Sequence, residues 1–554
     1  MENDMKLKRV MIAAPKSGSG KTTITCALLQ ALKNSGKKMV SYKCGPDYID
    51  PMFHKKVIDI PSKNLDTFFT GEEETKALFL KGRAEEEFAV LEGVMGLFDG
   101  LGGIREEGSS YHLAKVTKTP IVLVVDAKGM GRSVIPMIAG FLAYDTDHLI
   151  KGVILNRMSK SYYETIKPLL EEELSIPALG YFPEHKQFSI ESRHLGLVMP
   201  DELANIKGQL LAVAEELEKT VSTEKIVEIA EIAETLECGD GIPDVEPAAK
   251  NDPIIAVARD EAFCFYYEDN LLMLEEYGAR IVYFSPLHDA KLPDGFSGLL
   301  IGGGYPELHA EALGRNTKMM AEIKKAIENG IPTVAECGGF MYLHAVMKDK
   351  KDHGFRMAGA IPSACYDTGK LVRFGYIELE EKHPHFLPEG EKIRGHEFHY
   401  FDSEDNGNDC LATKPVTGRG YTCVKAGGNY WLGFPHLYYP SNPEFARSFV
   451  EKAGNYKERE KVILMKERHS IEERRSMDNS YRFFENRECK YFPCHKGLDD
   501  FNCLFCYCPL YTRENCPGNP QYIEKAGRKI KVCTNCTFPH QPGNYDAVIQ
   551  ILKQ

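Results

Sequence analysis

The run Ala14-Pro15-Lys16-Ser17-Gly18-Ser19-Gly20-Lys21-Thr22-Thr23 has the residue types of a phosphate-binding loop. Gly18 and Gly20 let the backbone curl until its N–H groups face an anion. Lys21 then neutralises β/γ-phosphate charge, and the Thr22 hydroxyl is placed for Mg²⁺. Lys16, Gly18, Gly20, Lys21, Thr22 and Thr23 are the expected nucleotide contacts. One departure is visible: Pro15 stands five residues before Gly20, where Gly or Ala is common. Asp47, in Cys44-Gly45-Pro46-Asp47-Tyr48, and Glu92, in Leu91-Glu92-Gly93, each follow a strand-like run. Functional groups gather at the carboxyl ends of parallel strands, so both carboxylates are expected to converge on Mg²⁺ beside Thr22. Asp47 and Asp50 have a plainer alternative as turn formers. Asn156-Arg157 leaves another strand, placed either to meet a nucleotide base or simply to form a strand-end turn.

A second chemistry is written in Thr333-Val334-Ala335-Glu336-Cys337-Gly338-Gly339-Phe340. It reads as strand, sharp turn and helix, with a thiol at the tip. A helix N-terminus favours the Cys337 thiolate. The Gly338 N–H can stabilise an oxyanion, and the loop Gly302-Gly303-Gly304, through Gly303, can supply a second donor. The thiol needs a base. His436 in Gly433-Phe434-Pro435-His436 is the candidate, with His396 and His399 as competitors. Together the two sites suggest one reaction. Glutamine is hydrolysed at Cys337, ATP activates a carboxylate as an acyl phosphate, and the released ammonia displaces phosphate to form an amide.

The third group is Cys489, Cys494, Cys503, Cys506, Cys508, Cys516, Cys533 and Cys536, with His495 and His540 nearby. Short paired spacings let two thiolates reach one ion. Two four-cysteine sites, or one site and spare thiols, fit this count. Structural zinc is the expectation, with an iron–sulfur cluster or redox thiols as alternatives. Phe483, Phe484, Tyr491, Phe501, Phe505, Tyr507 and Tyr511 are expected to form a small core around the metal. Base stacking by a nucleic-acid-binding zinc ribbon is a minor alternative. Cys26, Cys44, Cys238, Cys264, Cys365, Cys410 and Cys423 are read as packing residues.

These groups need elements to hold them. Apolar β-branched runs at Arg9–Ala14, Met39–Lys43, Phe88–Glu92, Ile121–Asp126, Gly152–Asn156 and Ala178–Phe182 alternate with helical patterns. That pattern predicts a parallel sheet covered on both faces. A second alternating unit has strands at Pro253–Ala258, Arg280–Phe284, Gly298–Ile301 and Thr333–Glu336. The expected organisation is residues 1–225, a linker 226–252, a second α/β domain 253–455, a charged helical connector 456–480 and the cysteine-rich 481–554. No internal repeat is apparent.

The chain has 554 residues and a net charge of -12. The charge is uneven: -16 over residues 1–455, +1 over 456–478 and +3 over 481–554. An acidic front part argues against a broad nucleic-acid-binding face there. Apolar residues make 43%, an ordinary globular share. The longest apolar runs fall far short of the ~20 residues of a membrane span. Met1–Arg9 is charged and lacks a signal-peptide core. The expected location is the cytoplasm, where thiols stay reduced.

Residues 1–455 closely resemble the cobyrinate a,c-diamide synthase family. The resemblance rests on APKSGSGKTT, KCGPDYIDPMFH, NLDTFF, LEGVMGLFDG, ESRHLGL, IGGGYPE, AECGGFMYL and GHEFHY, in that order. It implies a P-loop, dethiobiotin-synthetase-like parallel-sheet domain joined to a class I glutamine amidotransferase-like α/β domain. It implies ATP- and Mg²⁺-dependent amidation of the a and c acetates of a corrinoid, with glutamine as nitrogen donor. By the same resemblance Cys337 is the nucleophile, His436 its base, and Tyr48 and Asp99 belong to the substrate site with Asp47 and Glu92. Many class I relatives carry Glu two residues past the histidine; this chain has Tyr438 there. A similar branch amidates Ni-sirohydrochlorin, another tetrapyrrole with acetate groups. Lys43, Arg105, Arg132 and Arg193 are candidates to face such carboxylates, with an ordinary surface charge the equal alternative for each. Lys16 matches the extra lysine of MinD-like ATPases, which keeps an ATPase switch as a remoter reading. The tail resembles small cysteine-rich metal-binding domains fused to cobalamin enzymes. A homodimer is compatible with all of this.

Overall fold

The computed structural model describes residues 7–82, 87–184, 200–236, 245–478, 481–498 and 500–554. It divides into two compact units, Met1–Lys457 and Glu458–Gln554.

The first unit begins with a seven-stranded sheet. Its strands are β1 (Lys8–Ala13), β2 (Met39–Cys44), β3 (Ser62–Leu65), β4 (Phe88–Glu92), β5 (Ile121–Asp126), β6 (Ile150–Asn156) and β7 (Ala178–Phe182). They are ordered β3-β2-β4-β1-β5-β6-β7, and every pairing is parallel. Val10, Ile12, Val90 and Val124 point into one apolar layer, Met11, Leu91, Leu123 and Val125 into the other. Burial on both faces explains the unbroken apolar runs. The polar strand β3 was not among the expected ones; its edge position leaves it without an apolar run. The first half also extends past the expected boundary. The helix Thr223–Glu231 buries Ile226, Ile229 and Ala230 in the first layer.

The second half holds a six-stranded sheet. Its order is Arg280–Phe284, Ile254–Ala258, Gly298–Ile301, Thr333–Glu336, Tyr430–Gly433 and Lys425–Gly427, parallel except for the last pair. Two further sheets of four and five strands fill most of residues 344–437. In the five-stranded sheet Lys392–His399 pairs with His436–Leu437, which sets His396 opposite His436.

The two halves meet through buried side chains. Tyr48, Phe68, Phe69 and Leu101 from the first pack with Tyr267 and Tyr438 from the second. Lys63 pairs with Asp269 at 2.9 Å, and Arg394 donates to the Phe68 carbonyl at 2.6 Å.

The helix Glu444–Asp478 takes in the expected connector and starts well before it. The second unit has one hairpin, Gln521–Lys525 with Arg528–Val532, and a closing helix, Tyr545–Lys553. Phe501, Leu510 and Val548 are its buried apolar centre. The expected aromatic core is thus corrected. Of the seven rings only Phe501 is buried, while Phe483, Phe484, Tyr491, Tyr507 and Tyr511 are exposed. So short a segment has too little apolar surface to enclose them all.

Candidate active site

The phosphate loop joins β1 to the helix Lys21–Asn34. Gly20 caps that helix in the left-handed region, φ 90°. A Cβ there would lie 2.1 Å from Asn156 Nδ2, so glycine is required on two counts. Asn156 Nδ2 donates to the Ser19 carbonyl at 2.8 Å. Asn156 therefore braces the loop in this structure, a role the expected base contact did not include. Lys16, Ser17 and Gly18 lie exposed on the outer curve, while Lys21 is buried and donates to the Met95 carbonyl. Burial and the neighbouring Lys43 charge pull the Lys21 ammonium down to about 8.

Beneath the loop is a buried charge cluster. Thr22 Oγ1 donates to Glu92 Oε1 at 2.7 Å, and Lys43 Nζ reaches the same oxygen at 3.0 Å. Lys43 also pairs with Asp50, and His54 Nε2 lies 3.4 Å from Glu92 Oε2. Burial alone would raise the Glu92 carboxyl, but Lys43, His54 and Thr22 together hold it well below the usual carboxylate range. Glu92 Oε2 is buried without a hydrogen-bond partner. An ionised carboxylate beside a threonine hydroxyl fits a hard cation such as Mg²⁺.

Asp47 is placed differently. Its Oδ1 accepts from the Ile49 and Asp50 N–H groups at 2.8 and 3.2 Å, so it caps the short helix Ile49–Phe53. Asp99 Oδ2 similarly accepts from Gly96 N–H at 3.0 Å. Both carboxylates nevertheless line the main cavity. Lys43 does not face a substrate, being buried between Asp50 and Glu92. Arg132 is exposed and paired with Glu173, and Arg105 is exposed. Arg193 and the ESRHLGL motif lie outside the described residues. Sequence reasoning missed Lys43, Asp50 and His54 as a charge network; KCGPDYIDPMFH held the signal.

The thiol turn is as expected. Cys337 has φ 47° and ψ -104° between the strand Thr333–Glu336 and the helix Gly338–Leu343. A positive φ in a non-glycine residue marks strain at the turn. Its protonation state differs from expectation. Burial, with Glu307 next in weight, pushes the Cys337 thiol far up, although the Gly338 N–H opposes this. The helix has only six residues and cannot offset the loss of water. Cys337 therefore rests as a thiol and needs a base.

His436 is suited to that task. Burial, then the His399 charge, lower it to about 3, so the ring is neutral and able to accept a proton. It stacks against His396 at 5.0 Å. His396 is tied to the Tyr267 hydroxyl at 3.1 Å, and His399 to the Phe401 carbonyl at 2.6 Å. Among the three, His436 is the one whose Nδ1 is buried without a hydrogen-bond partner. A Cβ on Gly303 would sit 2.4 Å from His436 Cε1, so that glycine admits the ring. A Cβ on Gly338 would lie 3.1 Å from the Gly304 nitrogen. The Gly304 nitrogen thus lies close to the thiol turn, and Gly303 leaves room for the His436 ring.

One cavity of about 1110 Å³ joins the chemistry of both halves. Asp47, Tyr48 and Asp99 line it from the first half; Cys337, His396 and His436 line it from the second. Tyr48 is stacked on Phe265 at 5.0 Å and lies 5.3 Å from His436, so it belongs to the junction as well as the cavity wall.

In the second unit, ligand atoms of Cys494, His495 and His540 lie within 4.8 Å of one another. A cavity of about 270 Å³ beside them is lined also by Cys506, Cys508, Cys533 and Cys536. His540 is buried, and its Nδ1 meets the Asn502 carbonyl at 3.0 Å, which leaves Nε2 for a metal. Backbone N–H groups of Asn486 and Asn519 point at Cys503 and Cys536, both at 3.3 Å. Cys516 approaches Cys536 across Gly518. Cys489 and Cys503 do not line this cavity. Two of the three clustered ligand atoms are imidazole nitrogens, from the His495 and His540 that stand beside the cysteines in the sequence.

Residues 10–198 match the CobQ/CobB/MinD/ParA nucleotide binding domain. Residues 254–436 match the CobB/CobQ-like glutamine amidotransferase domain, and residues 480–554 the cysteine-rich small domain. Cobyrinate a,c-diamide synthase of Caldanaerobacter subterraneus subsp. tengcongensis is 38% identical over 451 residues, covering 80% of this chain and 98% of that one. The synthase so named from Dehalococcoides mccartyi is 36% identical over 473 residues, 82% of this chain and 99% of its own. The one from Priestia megaterium is 36% identical over 470 residues, 83% of this chain and all of its own. No described helix is long and apolar enough to cross a membrane. Identity at this level, across nearly the whole length of these relatives, means that the chain belongs to the cobyrinate a,c-diamide synthase family of glutamine-dependent amidating ligases.

Proposed function

We propose that the chain amidates the a and c acetate carboxylates of cobyrinate, using ATP and glutamine, through an acyl phosphate. The cavity shared by Cys337 and Asp47 is the observation that carries this reading. Ammonia released at the thiol and a carboxylate activated near the phosphate loop can meet there without leaving the protein.

His436 takes the Cys337 thiol proton, and the thiolate attacks the glutamine side-chain carbonyl. Gly338 and Gly304 N–H groups receive the developing oxyanion. The proton returns to the departing ammonia, and water then frees glutamate from the thioester. In the other half, Lys21 and the loop N–H groups orient the phosphates for transfer to the acceptor carboxylate. Thr22 and Glu92 would hold Mg²⁺, which supplies charge neutralisation on the phosphates when bound. Asp47 and Asp99 line the acceptor side of the cavity.

The test is glutamine- and ATP-dependent conversion of cobyrinate to its diamide, run beside Ni-sirohydrochlorin. Faster turnover of Ni-sirohydrochlorin overturns the acceptor assignment. No amidation of either overturns the reaction. For the second unit, the proposal is structural zinc held by Cys494, His495 and His540 with a further thiolate from the cavity wall. The abundance of free thiols suits a reducing compartment, so the cytoplasm is the proposed location.

A further inference from the structure

The nucleophile is usually only half of a thiol amidase; the base must also be held in one tautomer. At the position two residues past His436 stands Tyr438, whose hydroxyl is committed to Asp269 Oδ2 at 3.1 Å and whose ring stacks on Phe69. It cannot orient the imidazole. The structure offers a carboxyl from another direction. Glu336 ends the strand Thr333–Glu336, one residue before the nucleophile, and pairs in register with Gly433 of the strand leading to His436. Its Oε2 lies 3.9 Å from His436 Nδ1, and both side chains are buried. Oε1 is anchored by the Leu437 N–H at 3.4 Å, which aims the carboxyl at the ring. The Nδ1 it faces is the orphaned buried atom.

We propose that Glu336 is the positioning acid of the glutaminase, holding the His436 Nδ1–H so that Nε2 can take the Cys337 proton. Strand pairing at the sheet end thereby replaces the sequence-adjacent glutamate of related triads. The gap of 3.9 Å is one that substrate binding can close, as apo catalytic contacts often tighten. The inference rests on the glutaminase reading of Cys337.

Other titratable groups face His436. His396, Glu397 and His399 come from the strand Lys392–His399, and Tyr48 from the first half. Glu397 is the rival acid. Its Oε2 accepts from the Tyr421 hydroxyl and lies 3.6 Å from Lys414, while its Oε1, without a hydrogen-bond partner, lies 3.6 Å from Arg373 and 3.8 Å from His399 Nε2 rather than at His436. Burial pushes Glu336 up to about 8, so near pH 7 the Glu336–His436 pair holds one proton too many to act. Glutaminase kcat is expected to rise with pH through that region, as the carboxylate that holds Nδ1–H forms.

The experiment compares glutamine-dependent and ammonia-dependent amidation across pH for the wild type, Glu336→Gln, Glu336→Asp and Glu397→Gln. Glu336→Gln presents an amide donor to Nδ1 and fixes the wrong tautomer. It should lower glutamine-dependent kcat by about 100-fold or more and abolish the rising limb, with ammonia-dependent turnover retained. Glu336→Asp should keep the limb at reduced kcat, which covers the case that the amide unsettles the strand end. The limb persisting in Glu336→Gln, disappearing in Glu336→Asp, or disappearing in Glu397→Gln overturns the proposal. A wild type without glutaminase activity sinks the underlying reading instead.

Discussion

The ring of Tyr48, carried by the loop after β2, lies 5.3 Å from the imidazole of His436, carried by the far half. A residue of the phosphate-loop half thus packs against the proposed base of the glutaminase. Tyr48→Ala is expected to leave glutamine cleavage running while amide formation falls behind it. Glutamate released per amide formed is the measurement. A ratio equal to the wild type would show that the contact does not couple the halves.

Gly303→Ala tests the placement of His436 without touching a titrating group. The added methyl would lie 2.4 Å from the ring. We expect at least ~10²-fold loss of glutamine-dependent rate, since small misplacements cost that much. Ammonia-dependent rate should stay within a factor of about 3, a change of under 1 kcal/mol.

Glu92→Gln removes one carboxylate from the cluster of Lys43, Asp50, His54 and Thr22. Both nitrogen donors should then fail, while glutaminase activity survives. Removing one partner of a buried pair costs roughly 3–5 kcal/mol. Asp50 still compensates Lys43, so a loss of about 2 kcal/mol in a denaturant titration is expected. Unchanged ATP-dependent turnover would contradict the Mg²⁺ assignment.

Lys21 sits near 8 in the free protein because burial and Lys43 disfavour its charge. Bound phosphates must raise it, so binding takes up a proton above that pH. Nucleotide affinity should be full below pH 8 and fall as pH rises through it, by up to about tenfold per unit. Calorimetry at pH 7 and pH 9 checks the direction. Lys21→Met should show weak binding that is flat with pH.

For the cysteine-rich unit, purified full-length protein should carry zinc, and His540→Asn should lose most of the metal at Cys494, His495 and His540. Cobalt substitution reads the ligands: a thiolate-to-cobalt charge-transfer band weaker than that of four thiolates supports the mixed set. Metal content and cobalt spectrum unchanged by His540→Asn would contradict it.

Much of this was legible in residue order. Continuous apolar runs identified the parallel strands, because double-sided burial leaves no alternation to read. Gly18, Gly20, Lys21 and the strand–Cys337–Gly338 turn were visible as local motifs. What was hidden arises from tertiary pairing. Strand β3 is short, polar and at an edge. Lys43 reads as a surface charge until Asp50 and Glu92 enclose it. Glu336 gains its role only when its strand lies beside the one leading to His436. The Cys337 thiolate expectation failed because a local helix argument was outweighed by burial, which depends on the whole fold. In the tail, His495 and His540 stood out beside the cysteines in the sequence, but their meeting with Cys494 arises only in the fold.

The central claim is that the two halves split one reaction between a thiol that makes ammonia and a nucleotide site that uses it. The direct test is Cys337→Ala assayed with ATP and cobyrinate, once with glutamine and once with ammonium at high pH. The account predicts no amide from glutamine and near wild-type amide from ammonia. Glutamine-dependent amidation by Cys337→Ala, or loss of the ammonia reaction in a folded variant, would contradict it.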